Sequence, residues 1–152
     1  MSKRDYLLLK TAMTYLDTDK QTYADLSITE TANNEQFLFS LFSKTETKEG
    51  KAKIRQYIER QVEYYAKIMG VTYGRISMRN QKTRWGSCSS NGNLNFNNRL
   101  LFVPKELVDY VVVHELAHRK EMNHSNAFWN VVEKYMPDYK ERRKKLREYH
   151  IE

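Results

Sequence analysis

Apolar residues recur at helical spacing in the stretch that begins at Lys51. Five of them follow one another at intervals of three or four residues: Ile54, Ile58, Val62, Tyr65 and Met69. This spacing places the five side chains on one face of an α-helix. Gly70 follows directly, and glycine is the residue that most often ends a helix in the left-handed conformation. The pattern predicts an amphipathic helix that stops at Gly70.

A different period follows this helix. Ile76 and Met78 alternate with polar residues, and residues 93–97 (NLNFN) alternate strictly between polar and apolar. Alternation indicates β-strands with one buried face. Residues 90–93 (SNGN) contain an Asn-Gly pair, which favours the type I′ turn of a β-hairpin. The sequence therefore predicts a small antiparallel sheet with a hairpin that turns at residues 90–93.

Three further helices are expected after the sheet. Pro104 occupies the favoured first position of a helix, and residues 105–122 are apolar on most sides, as in a core helix. Ser125 is a typical N-cap for a following amphipathic helix. Pro137 ends that helix, and residues 138–149 form the last one. These elements predict an α+β fold with helices at its C-terminal end.

Residues 1–50 differ from the rest of the chain. They have a weak helical pattern over residues 6–16 and a second short apolar helix that Asn33 or Asn34 could cap. They carry six basic and eight acidic residues, whereas residues 51–152 carry 20 basic and 11 acidic residues. We expect a helical accessory segment over residues 1–50 and the main domain over residues 51–152.

The composition limits the class of protein and its partners. Charged residues make up 30% of the chain, no apolar run reaches the length of a membrane span, and one cysteine excludes an internal disulfide. A cytoplasmic protein without membrane partners is expected. The net charge of +7 could attract nucleic acid. For the basic run KERRKKLR at 140–147, a solvated helix face is the favoured interpretation.

The sequence HELAHRKEMNH at residues 114–124 carries the strongest chemical signal. His114 and His118 are four residues apart, so on a helix they share one face, as in the HExxH zinc motif. Glu115 can then reach a water on the zinc and act as general base. A catalytic zinc needs a third protein ligand. His124 can supply it only if the helix ends first, and Asn123 tolerates the left-handed conformation that would end it.

The motif predicts one Zn²⁺ per chain and a zinc metallopeptidase that hydrolyses peptide bonds through a zinc-activated water. A helix that merely carries surface histidines is the alternative. Phe128 and Trp129 are expected to brace the third ligand. Trp85 is expected in the core, and Cys88 as a buried, inert thiol.

Other residues are weaker candidates for the site. The strand containing Asn93, Asn95 and Asn97 could pair with an extended peptide substrate, but an ordinary interior strand explains the pattern equally well. Four residues are candidates to stabilise an oxyanion, although each alone could be structural: Tyr135, Tyr139, Arg142 and His150.

Three segments resemble the YgjP-like metallopeptidases of the zincin group: TRWGSCSSNGNLNFNNRLLFVP, VVVHELAHRKEMNHSNAFWNVV and PDYKERRKKL. The resemblance implies a zincin-like α+β fold with a small sheet beside the active-site helix. It also implies His114, His118 and His124 as ligands and Glu115 as base, and it favours Tyr139 and Arg142 as transition-state stabilisers. SprT-like proteases are similar in motif. A SprT-like protease acting on nucleic-acid-associated proteins, or a non-proteolytic zinc amidohydrolase, are the alternative functions.

Overall fold

The computed structural model describes residues 48–149. The helices expected within residues 6–16 and after Asn33 or Asn34 lie outside the described residues, as does His150. The described elements, in chain order, are α1 (Lys48–Met69), β1 (Ile76–Arg79), β2 (Gly86–Cys88), β3 (Leu94–Asn97), a 3-10 helix (Asn98–Phe102), α2 (Lys105–Ala117), α3 (Asn126–Tyr135) and α4 (Tyr139–Leu146). This order of helices and strands confirms the α+β class.

Helix α1 has the predicted apolar face and the predicted end. Ile54, Ile58 and Val62 are fully buried, and the face continues through Ala66 and Met69. Gly70 has a φ of 65°. The amide of Gly70 donates to the carbonyl of Lys67, and that of Val71 donates to the carbonyl of Ala66. These are the two hydrogen bonds of a Schellman motif, so Gly70 ends the helix as expected.

The sheet is mixed, with β3 as its central strand. β2 pairs with β3 in the antiparallel direction and β1 pairs with β3 in the parallel direction. The antiparallel pair is the predicted hairpin, but the expectation of an antiparallel sheet does not hold for β1. The physical reason is the connection 80–85, which carries the chain from β1 to the far edge of β3. Period-2 alternation reveals strands without revealing their order.

The hairpin turns one residue earlier than the Asn-Gly pair indicated. The amide of Gly92 donates to the carbonyl of Ser89, and the amide of Ser89 donates to the carbonyl of Asn93. Gly92, with a φ of 87°, is therefore the last residue of a three-residue loop rather than the second residue of a two-residue turn.

Helix α2 forms the centre of the core. Its buried side chains include Val108, Val112 and Leu116. Pro104 is the N-cap of this helix, one position before the predicted one. Helix α1 packs against α2, with Tyr57 and Gln61 both hydrogen-bonded to Asp109. β2, α3 and α4 also contact α2, so the helix that carries the histidines is enclosed by most of the domain.

Among the helices of residues 48–149, none has the length and apolar character that crossing a membrane would need.

Candidate metal centre

Helix α2 places His114 and His118 on one face, close to its C-terminal end. The helix ends at Ala117, and His118 is its C-cap with helical φ and ψ of −64° and −15°. The amide of His118 still donates to the carbonyl of Glu115. Because His118 retains this helical geometry, its side chain follows that of His114 one turn along the helix.

The chain then turns away, and this break comes earlier than Asn123. The amides of Lys120 and Glu121 both donate to the carbonyl of Ala117, which closes the helix with a short turn. The predicted break between His118 and His124 is therefore present. The expected helix through residue 122 is not present, because the amides of residues 118–120 each donate to the carbonyl three residues earlier, which tightens the last turn and ends the helix.

His124 lies immediately before the N-cap of α3. Ser125 has extended backbone angles, and its hydroxyl accepts a hydrogen bond from the amide of Phe128 at 3.4 Å. This confirms the predicted N-cap. The cap fixes where α3 begins and thereby fixes the position of His124 relative to α2.

The three histidines converge. Their ligand atoms all lie within 4.8 Å of one another, and Nε2 of His124 is 3.2 Å from Nε2 of His114. Two nitrogens on one tetrahedral zinc ion, each at ~2.0–2.1 Å, lie about 3.3 Å apart. The donor set and this separation fit a zinc ion.

The second nitrogen of two of these rings has a partner that orients it. Nδ1 of His118 lies 3.1 Å from the carbonyl oxygen of Glu121, and Nδ1 of His114 lies 3.4 Å from the hydroxyl of Tyr110. A proton on each Nδ1 donates to these oxygens and leaves each Nε2 lone pair directed at the cluster. Such partners are usual for metal-binding histidines.

Aromatic rings hold the cluster from the core side. Phe128 is fully buried, stacks on His118 with ring centroids 4.5 Å apart, and meets the rings of His114 and His124 edge-on. Trp129 lies against His114 and His124 at 5.8 and 6.1 Å. Both residues therefore brace the histidines, as their positions in the sequence predicted.

Two of the imidazoles are kept neutral by their surroundings. Burial, the neighbouring histidines and Arg143 together lower the pKa of His114 to about 3. Burial also lowers the pKa of His118. Neutral imidazole is the form that binds a metal ion, so these two ligands do not have to lose protons at neutral pH.

Glu115 is buried against β2, where Gly86 leaves room for its side chain. A Cβ on Gly86 would lie 3.1 Å from Cγ and 3.2 Å from Oε1 of Glu115. The carboxyl is buried, and burial raises its pKa to about 8, while the nearby cation of Arg84 acts in the opposite direction. The pKa of a general base suits catalysis best when it lies near the working pH.

A cavity of about 300 Å³ opens beside His114 and Glu115. One part of its lining consists of Arg84, Trp85 and Gly86, at the start of β2, and another part comes from α4 and the residues after it. Trp85 is half-buried, so it belongs to the cavity wall as well as to the edge of the core.

Tyr139 and Arg142 lie elsewhere. Tyr139 is buried and stacks on Trp129, with ring centroids 5.4 Å apart. Arg142 donates to Asp138 at 3.0 Å and to the carbonyl of Glu106 at 2.9 Å. Neither residue lines the cavity beside Glu115. The helical phase of α4 explains the difference, because it turns the next residue, Arg143, toward the cavity instead.

The asparagines in and directly before β3 form hydrogen bonds to neighbouring strands and loops. Asn97 donates to the carbonyls of Gln81 and Arg84 and accepts from the amide of Arg99. Asn95 donates to Ser87 and accepts from Arg79, and Asn93 accepts from the amide of Arg75. Because β3 has a strand on each side, it has no edge for a substrate strand. The interior-strand interpretation is the correct one.

Sequence reasoning missed Tyr110, Arg143, Arg147 and Tyr149, which also line the cavity. Tyr110 precedes His114 by four residues, and that spacing could have revealed it. The arginines lie in a basic run in which no position stands out from its neighbours.

Cys88 is half-buried, and burial raises the pKa of its thiol, which agrees with an unreactive cysteine.

Known proteins resemble the chain in sequence and in fold. A sequence model described as the YgjP-like metallopeptidase domain matches residues 6–149 of the chain. The chain belongs to the YgjP-like metallopeptidase family. As a member of this family, the protein is a metallopeptidase, and its substrates are peptides or proteins. No curated protein matches the chain.

Two solved structures resemble this YgjP-like domain. The metallopeptidase zymogen of abylysin from Pyrococcus abyssi has 28% identity and a TM-score of 0.54, with 59% of this chain and 90% of that chain covered. The metallopeptidase zymogen of jannalysin from Methanocaldococcus jannaschii has 23% identity and a TM-score of 0.53, with 60% and 94% covered. The second likeness concerns the fold alone.

Proposed function

We propose that this metallopeptidase uses one zinc ion, held by His114, His118 and His124, and that Glu115 is its general base. The observation that carries the proposal is the convergence of the three imidazoles within 4.8 Å, next to a buried glutamate that borders a cavity. Three histidine ligands leave one position of a tetrahedral ion open, which is the arrangement of catalytic rather than structural zinc sites.

Zinc bound at this cluster would supply Lewis acidity that polarises the substrate carbonyl and activates a water. Glu115 takes a proton from the attacking water and delivers it to the leaving nitrogen. A raised pKa makes the carboxylate a stronger base for the first transfer, and the nearby Arg84 cation favours the ionised form that this transfer needs. Gly86 keeps the carboxyl in place because its backbone lies against it.

The geometry also favours a route for the substrate. Within residues 48–149, β2 pairs with β3 alone, so its outer edge is open to an extended peptide. Gly86 begins this strand and also touches Glu115. A peptide paired with β2 would therefore pass beside the general base. The proposed partner of the substrate is therefore β2, whereas the sequence had suggested β3.

The roles of base and ligand are separated by substitution. Glu115→Gln keeps the shape of the side chain but cannot accept a proton, so it should retain zinc and lose peptide hydrolysis by at least about 100-fold. His118→Ala should lose zinc, because it removes a proposed ligand. The contact between Nδ1 of His118 and the carbonyl oxygen of Glu121 orients this ring toward the metal site. Zinc content by elemental analysis and kcat on a fluorogenic peptide measure the two effects.

The assignment of His124 is tested in the same assays. His124→Ala should weaken zinc binding while the domain stays folded, since His124 is exposed and the core lies beneath it. Circular dichroism provides the folding control. If Glu115→Gln lost zinc and His118→Ala kept it, the proposed roles would be wrong.

A further inference from the structure

Three arginines surround the cavity beside the metal centre. Arg84 comes from the segment before β2, Arg143 from α4, and Arg147 from the C-cap of α4. Glu115 is the one acidic residue among the described residues that line this cavity, and it is assigned to proton transfer. The space that a substrate would enter therefore receives positive charge from two separate segments of the chain.

These arginines are available to a ligand. Within residues 48–149, none of the three side chains forms an ion pair, whereas Arg142, next in sequence, is bound to Asp138. The guanidinium of Arg143 lies over the ring of Trp129 at 4.7 Å. A guanidinium over an aromatic ring keeps N–H groups with which it can donate to a ligand.

The placement on α4 is periodic. Leu146 and Arg147 follow Arg143 by three and four residues, so the three side chains share one face of the helix. All three line the cavity. Leu146 is buried and anchors this face of the helix to the core, whereas the two arginines are exposed. Lys144 and Lys145 lie outside the cavity lining.

We propose that this cavity recognises a carboxylate of the substrate next to the scissile bond, and that Arg84, Arg143 and Arg147 determine this specificity. The inference rests on the proposed peptidase site and names its substrate class. Arginine forks match carboxylates in geometry as well as charge. The carboxylate can come from an acidic side chain or from the C-terminus of a peptide, and matched substrates distinguish the two sources.

The test uses the full chain loaded with zinc and a set of fluorogenic peptides. Glutamate replaces glutamine at each position flanking the cleavage site, and each peptide has either a free or an amidated C-terminus. We expect kcat/KM to be about tenfold higher with the carboxylate at the preferred position, and the preference to weaken as salt is raised. Equal kcat/KM for glutamate and glutamine peptides, together with no effect of amidation, would overturn the inference and leave the peptidase function intact.

Variants connect the preference to the arginines. Arg143→Gln and Arg147→Gln should each reduce the preference for glutamate over glutamine severalfold, measured as the ratio of the two kcat/KM values. Lys144→Gln removes the same charge from the same helix outside the cavity and should keep the full preference. If Lys144→Gln reduced the preference as much as the arginine variants do, the effect would come from overall charge, and the proposed site would be wrong.

A binding measurement separates this inference from the proposed function. The zinc-loaded Glu115→Gln variant is mixed with labelled glutamate and glutamine peptides, and fluorescence anisotropy gives the two Kd values. Tighter binding of the carboxylate peptide, lost in Glu115→Gln/Arg147→Gln, supports the subsite even if the wild-type protein cleaves neither peptide. In that case the proposed hydrolysis fails and the carboxylate site stands. Equal Kd values would overturn the inference.

Discussion

The backbone at Gly86 approaches the Glu115 carboxyl too closely for a larger side chain. A Cβ there would lie 3.1 Å from Cγ of Glu115 and 3.1 Å from the carbonyl oxygen of Asn95. One neighbour is a side chain that can rotate and the other is the central strand of the sheet. An added methyl group would therefore displace Glu115 rather than β3.

Gly86→Ala should accordingly lower kcat by roughly tenfold or more while zinc binding stays unchanged, because a small displacement of a general base has a large kinetic cost. Gly70→Ala is the control. Gly70 has a positive φ and open space around it, so this change should cost about 1 kcal/mol of stability without altering kcat. Steady-state kinetics and zinc analysis provide the comparison. A Gly86→Ala enzyme with full kcat would contradict the positioning of Glu115 by this strand.

At the residue scale, the positions around the zinc motif could be predicted from spacing and helix ends, and the positions on the distant helix α4 could not. The placement of His114 and His118 on one face, with Glu115 beside them, follows from helix geometry alone. The packing of Phe128 against the histidine rings adds only detail to that placement. The wall formed by Arg143 and Arg147 depends on how α4 rotates against α2, which is decided by the burial of Tyr139 and Leu146. No local pattern separates Arg142 from Arg143 in a run of basic residues.

At the scale of elements, the contact between α1 and α2 contains a half-buried carboxyl. Oδ1 of Asp109 accepts hydrogen bonds from the Tyr57 hydroxyl at 2.8 Å and from Nε2 of Gln61 at 2.9 Å. Burial raises the pKa of Asp109, and these two hydrogen bonds reduce the rise. The folded state therefore favours the protonated carboxyl more than the unfolded chain does.

The sign of the pH dependence follows. An acid whose pKa is raised by folding contributes its full stability below its unfolded pKa of about 4 and loses it as the pH rises through the folded pKa. Asp109→Asn keeps an oxygen for both donors and does not titrate. The wild type should lose stability relative to Asp109→Asn between pH 4 and pH 7. Urea unfolding of both proteins in the presence of a chelator measures the difference, and a difference independent of pH would contradict the raised pKa.

The elements themselves were predictable where a local signal ends them. Gly70 and Ser125 stop and start helices through their own backbone and side-chain bonds, and both were read correctly from the sequence. The end of α2 at Ala117 and the parallel pairing of β1 were not, because turn bonds and long-range pairing decide them. Asn123 tolerates a helix end without requiring one.

At the scale of the whole molecule, a metal ion would join parts of the chain that the fold holds separately. His114 lies within α2, His118 caps it, and His124 precedes α3. The turn after His118 is held to the helix by hydrogen bonds from the amides of Lys120 and Glu121 to the carbonyl oxygen of Ala117. A zinc ion would thus fix the start of α3 against α2. Without the ion, only the packing of the apolar core holds these two helices together.

Zinc should therefore stabilise the folded protein as well as activate it. A ligand that binds only the folded state at 100 times its Kd adds about 2.7 kcal/mol, which raises the Tm by roughly 10 °C for a domain of this size. Purified protein should contain about one zinc per chain, and a chelator should remove both the zinc and the gain in Tm. His124→Ala should reduce the gain because one of three ligands is missing, whereas Lys144→Gln should leave it unchanged. Thermal scans of the chelated and zinc-loaded proteins at neutral pH give the comparison, since the neutral imidazoles of His114 and His118 then bind zinc without competition from protons. An identical Tm with and without zinc would mean that the three histidines do not form a binding site in the folded state.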